Sequence, residues 1–259
     1  MKSLKGHISK LGLLIVIASA GLFLFNGKAA FAATKTWTGS GGNSNLATAG
    51  NWQGGVAPVD GDSLAFGSGS SLTLNNDLSS SIVVDGFDTG RTVSINGAEL
   101  KVKGNFTSSQ DGSFTFNNTL NVTDDVIISA RFVNFGGDLI GNGDITQGYT
   151  GQYKGTLLLG DPDGNGNGSF GGGISVDNVD LCVETGPTIF GSSAKGTSII
   201  NGGLYLESIS QSVTISEPFN LNNARIDAWA GRCNMGGGGN EQKLPYIVTC
   251  LGQSPRATG

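Results

Sequence analysis

The residues in this chain best suited to chemistry are clustered oxygens. In Asp161-Pro162-Asp163-Gly164-Asn165-Gly166-Asn167, side-chain oxygens fall at alternate positions, with a glycine sixth. Hard cations take oxygen clusters of this kind, and the run opens like a calcium loop with Asp161, Asp163, Asn165 and Asn167 as ligands. The twelfth position of such a loop is a bidentate Glu, and here it is Gly172. The competing reading is a hydrophilic turn of Asp, Asn and Gly between strands.

Asp60 with Asp62, and Asp124 with Asp125, are the other acidic pairs. Two carboxylates roughly 5–9 Å apart across a cleft can hydrolyse a glycoside. Asp124 and Asp125, as sequence neighbours, point to opposite faces of a strand or are solvated in a turn. Arg91, Lys101, Lys103 and Arg131 are the nearby bases, and they share no repeating column. The single histidine, His7, lies in a segment that reads as a removable leader. A mature chain without histidine excludes Ser-His-Asp and Cys-His catalysis and His-ligated zinc. No catalysis is therefore expected, and no cofactor other than calcium at the loop above. Trp37 and Trp52 are read as covering an open core rather than as a sugar platform, because tryptophan buries a large apolar area.

Three cysteines, Cys182, Cys233 and Cys250, show no C-x-x-C spacing, so a metal or redox motif has little support. Cys233 and Cys250 flank a Gly-rich segment and read as the likelier pair. Cys182 sits in Val179-Asp180-Leu181-Cys182-Val183, on the opposite face from the apolar residues that alternate with it.

The elements that must position these groups are strands. Short alternating runs bounded by Gly, Asn, Asp and Ser dominate after residue 33. Ser71-Leu72-Thr73-Leu74-Asn75, Thr92-Val93-Ser94-Ile95-Asn96 and Ser113-Phe114-Thr115-Phe116-Asn117 repeat one pattern at intervals of 21 residues. The phase continues through Phe135, Leu157/Leu159, Val179/Leu181, Leu204/Leu206 and Ile226/Ala228. A second set holds Leu100/Val102, Leu120/Val122 and Ile145, and a third holds Phe106 and Val126/Ile128. One such repeat cannot bury its apolar face alone, whereas stacked repeats bury each other. The expected fold is all-β, a right-handed parallel β-helix (β-solenoid) of about eight coils with a period of ~21 residues. Asn75, Asn96 and Asn117 should then stack at one corner. An antiparallel β-sandwich, whose turns recur every ~8–12 residues, would not keep this phase.

Four segments follow. Residues 1–32 read as a bacterial-type signal peptide, in which Lys2, Lys5 and Lys10 precede the apolar Leu11–Phe25 and Ala30-Phe31-Ala32 supplies the cleavage site. Residues 33–66 read as an N-terminal cap, 67–230 as the parallel β-helix, and 231–259 as a Gly-rich tail or incomplete cap. Without the four lysines of the leader, 11 bases face 20 acids, a net charge of −9. An acidic surface repels phosphate backbones, so nucleic acid is not an expected partner. No second apolar stretch follows the leader, so no integral membrane segment is expected after cleavage.

Trp37-Thr38-Gly39, Asn51-Trp52, Pro58, Gly61-Asp62 and Phe66 resemble the opening of autotransporter-type passenger domains. Gly137-Asp138-Leu139-Ile140-Gly141-Asn142-Gly143-Asp144-Ile145 and Gly155-Thr156-Leu157-Leu158-Leu159-Gly160 are similar to the strand repeats of that family, and Gly171–Val176 to the return strand after them. The resemblance covers roughly residues 35–230. No part of the sequence fits the translocator barrel of complete autotransporters. The resemblance implies a secreted or cell-surface passenger-like β-solenoid, structural or adhesive and without catalysis, meeting cell-surface glycans or proteins. The alternative is a carbohydrate-binding or polysaccharide-degrading β-helix.

Overall fold

A computed structural model describes residues 32–109, 112–151, 153–160, 169–183, 194–206, 214–215, 218–228 and 249–250. The chain divides at Phe31/Ala32, and every described residue lies in the second unit. All but the last residue of the leader reading at 1–32 and nearly all of the tail reading at 231–259 lie outside the described residues.

The architecture is an all-β parallel β-solenoid of about six turns, fewer than the eight coils expected from the spacing. One ladder stacks eight strands in chain order: Leu72–Asn76, Thr92–Gly97, Ser113–Phe116, Phe132–Phe135, Gly155–Leu159, Val179–Val183, Gly203–Leu206 and Arg225–Ala228. Every pairing along it is parallel. Alternation puts two residue columns inside. Val93, Phe114, Val133, Leu157, Leu181 and Leu204 form one, and Ile95, Phe116, Phe135, Leu159, Val183 and Leu206 the other; all are buried. Each large apolar side chain removed from water contributes about 1.5–3 kcal/mol. Stacking supplies the removal, because each rung covers the next.

The second ladder runs Thr34–Thr36, Ser63–Ser68, Val83–Gly90, Leu100–Ser108, Leu120–Ser129, Ile145–Gly148, Ile174–Asp177, Thr197–Ile200 and Phe219–Asn222. It forks at Leu120–Ser129. Leu120–Val122 pairs with Leu139–Gly141, and Val126–Ile128 pairs with Ile145–Gln147. Ile145 therefore stacks on Val126 of the third set, not on Leu120 of the second as the spacing suggests.

The register also departs from an even 21-residue phase. Phe114 pairs with Val133 rather than Phe135, and Leu157 with Leu181 rather than Val179. The coil ending at Phe132 is short because only Ala130 and Arg131 separate Ser129 from the next rung. Later coils are longer, and from Leu72 to Ile226 the mean advance is ~22 residues. The core survives because each misalignment is two residues, and a slip of two keeps the same face inward.

Thr34–Thr36 and Ser63–Ser68 are the first two strands of the second ladder, and the segment between them meets the first rung of the first ladder, where Asn45 bridges Asn75. Main-chain bonds tie this segment to the first rung, with Leu46 N–H donating to Asn75 O at 3.0 Å and Asn75 N–H to Ser44 O at 2.9 Å. Trp52 is only 2% exposed, donates Nε1–H to Leu46 O at 2.7 Å, and meets Trp37 edge-to-face at 5.1 Å. Both rings pack on Phe66, which stacks on Phe87 in the core. Trp52 is thus a core residue and not a sugar platform.

Candidate functional site

Asp161, Asp163, Asn165 and Asn167 lie outside the described residues, so the calcium reading rests on the sequence alone. The acidic pairs serve the backbone. Asp62 is buried; it accepts N–H bonds from Ala33 and Val59, both 2.9 Å, and faces Lys35 Nζ at 3.6 Å. Asp60 accepts from Val83 N–H at 2.9 Å. Asp124 accepts from Asp125 N–H, and Asp125 from Asp144 N–H, both at 2.9 Å. The Asp144–Asp125 bond holds the bulged segment between Val122 and Val126 against the next rung.

The bases are dispersed. Arg91 donates to main-chain carbonyls of Gly67, Ser68 and Ser70. Lys103 lies 3.8 Å from Asp85, and Arg131 sits over the rings of Phe132 and Tyr153. Among the described residues, no three His, Cys, Asp or Glu side chains converge as a metal site would require.

Cys182 is disulfide-bonded. With three cysteines in the chain, a bridge at Cys182 excludes the Cys233–Cys250 pairing that spacing favours. Leu158, Cys182 and Tyr205 follow one another in register on the outward side of the first ladder, and all three are buried. The spacing of Cys233 and Cys250 along the chain does not reveal the bridge at Cys182.

The structure does assemble one concave polar site that spacing does not reveal. It is a groove of about 390 Å³ on the outer side of the second ladder. Its floor is the outward column Thr146, Ser175, Ser198 and Asn220, consecutive partners in three parallel pairings. Asn220 Nδ2 donates to Ser198 Oγ at 3.4 Å. One wall is the pair Asp144 and Lys195, 51 residues apart, with Lys195 Nζ 2.6 Å from Asp144 Oδ1. Lys195 also donates to Asn142 O at 3.1 Å, and Gly173 N–H donates to Asp144 Oδ1 at 2.8 Å. Burial acts to raise the Asp144 pKa, but the Gly173 N–H and the Lys195 ammonium together outweigh it and hold the carboxyl below its ordinary value.

Glycine makes this wall possible. Extending the register by one residue places Asp144, Gly173, Gly196 and Pro218 in sequence across the coils. A Cβ on Gly173 would come 3.2 Å from Lys195 Cβ and so would crowd the base of that side chain. Gly196 has φ +75°, and a Cβ there would sit 2.4 Å from Pro218 O. The Gly171–Gly173 run is the only sequence sign of this place, and it reads equally as a turn. No helix among the described residues is long and apolar enough to cross a membrane. Compared with known proteins, the chain matches no family model, no curated protein and no solved structure.

Proposed function

We propose that this is an exported, passenger-like structural or adhesive solenoid that works by repeated surface contact rather than by catalysis. The observation that carries the reading is the outward patterning. Thr73, Ser94 and Thr115 follow one another along the first ladder, and Thr146, Ser175, Ser198 and Asn220 along the second. Hydrogen-bonding groups repeated at the ~4.8 Å strand spacing suit partners that are themselves repetitive, such as surface glycans. Individually weak contacts add when several engage together.

Export is supported by the lysines, apolar run and Ala30-Phe31-Ala32 of the leader. Passenger likeness is supported by the Trp37–Phe66 opening and the Gly-flanked strand repeats. Calcium at Asp161–Asn167 belongs to the same reading, as a means of ordering an acidic turn. The test is incubation of the purified protein with whole cells and with a panel of plant, algal and bacterial polysaccharides. Cell binding without turnover is the expected result. New reducing ends or unsaturated products above a mock preparation would replace this reading with a degradative one.

A further inference from the structure

We propose that the groove on the second ladder binds a neutral oligosaccharide laid along the solenoid axis, gripped by Thr146, Ser175, Ser198 and Asn220 and steered by the Asp144–Lys195 pair. The proposal rests on the adhesive reading above and names the chemistry of one contact within it.

Three features select this ligand class. The first is hydrogen-bond type. Hydroxyls of Thr146, Ser175 and Ser198 both donate and accept, and so does the Asn220 amide. A sugar's hydroxyls have the same dual character, whereas a phosphate or sulfate offers acceptors only.

The second is charge. Asp144 and Lys195 are held together at 2.6 Å, so the wall carries no net charge while presenting a strong acceptor beside a strong donor. Gly173 and Lys195 both bond to Asp144 Oδ1. The geometry assigns Oδ2 to a ligand hydroxyl. An anionic polymer would gain no net attraction from this wall and would meet a chain that is already acidic, with a pI near 4.8.

The third is shape. The column from Thr146 to Asn220 crosses three strand spacings, about 14 Å, which suits a short oligosaccharide rather than a single sugar. Its volume lies in the usual range of small-molecule sites, about 300–1,000 Å³. Apolar surface stands at both ends for the C–H faces of the sugar rings. Ile127, the residue paired with Thr146, is 54% exposed, and Pro218 lies on the rim.

The experiment is calorimetric titration of the full chain with neutral oligosaccharides of glucose, mannose and xylose, and with a sulfated oligosaccharide and an oligouronate for comparison. Ser175→Val and Ser198→Val remove the floor hydroxyls while keeping side chains suited to strands. Thr73→Val, on the other ladder, is the control. At least one neutral oligosaccharide should bind, and each floor variant should weaken it about tenfold while Thr73→Val does not. Circular dichroism and melting curves confirm that the variants fold; Lys195→Met gives a second, surface test from the wall, with the same direction of effect.

Failure of all neutral oligosaccharides to bind, tighter binding of the anionic ones, or equal weakening by Thr73→Val overturns the groove. Whole-cell binding, measured in parallel, separates the two readings. Retained cell binding without oligosaccharide binding removes the groove and leaves the adhesive function. Oligosaccharide binding without cell binding upholds the groove and removes the adhesive function.

Discussion

Asn117 donates its Nδ2–H to the Oδ1 of Asn96, 2.8 Å away and one coil back along the solenoid. Asn75 makes the same contact to Asn45 at 3.1 Å. At the far end, Asn223 donates to Asn201 at 2.9 Å and Asn201 to Asp177 at 3.0 Å. Asn178, Asn201 and Asn223 all have φ between 50° and 55°, a conformation that asparagine tolerates better than most residues. The corners are thus tied rung to rung by amides, and at Asn201 and Asn223 the backbone of the same residue also makes the turn.

Replacing Asn96 by Ala should remove the acceptor for Asn117 and lower stability by about 0.5–1.5 kcal/mol, the net worth of one such bond. Equilibrium denaturation in urea measures it as a lower midpoint with unchanged slope. The double variant Asn96→Ala with Asn117→Ala should show less than the sum of the single effects, since the two residues share one bond.

Inward and outward positions on neighbouring strands should respond very differently to the same charge. Ile95 is fully buried between Leu74 and Phe116, so Ile95→Asp places an unpaired carboxylate in the core and should lower stability by several kcal/mol, roughly the upper tail of single substitutions. Thr73 faces outward and is exposed, so Thr73→Asp should stay within about 0.5 kcal/mol. Similar losses from the two variants would contradict the inward assignment.

Gly104 has φ +77°, and a Cβ would come 2.2 Å from Asp85 O, at the place where the register between neighbouring strands shifts. Gly104→Ala should destabilise by at least about 1–3 kcal/mol. Gly148 has open space around it and serves as comparison; Gly148→Ala should be nearly neutral. Thermal melts of the two variants side by side decide the matter.

Cys182→Ser should lower stability by about 2–4 kcal/mol through loss of the bridge. Peptide mapping without reductant should recover Cys182 joined to Cys233 or Cys250. Recovery of a Cys233–Cys250 peptide would contradict the bridge at Cys182.

Asp144 should titrate below an ordinary aspartate when followed by carboxyl NMR. Because its folded value is lowered, its contribution to stability is present above the unfolded value and is lost as pH falls through the folded one. Both side chains of the Asp144–Lys195 pair are more than two-fifths exposed, so solvent screening keeps that contribution to about 0.2–1 kcal/mol. Lys195→Met should move the Asp144 titration upward and make the acid limb of stability shallower.

The sequence alone determined which residues face the core. Alternation with a period of two is a property of the extended backbone, so Leu74, Ile95 and Phe116 are read as inward from their neighbours, and the repeat shows that they stack. Gln147 marks the edge of that legibility. It is fully buried in the column between Ile128 and Val176, with Nε2 donating to Ala130 O at 2.9 Å, though a polar residue in a short run signals no such place. What only the tertiary structure decided is which residues meet across coils. Turn length varies from coil to coil, so local spacing does not set register, and neither Phe114 beside Val133 nor Cys182 in a disulfide follows from counting residues. Lys195 reaches Asp144 across 51 residues because parallel stacking returns the chain to the same corner each coil, where a side chain at Gly173 would crowd Lys195 Cβ.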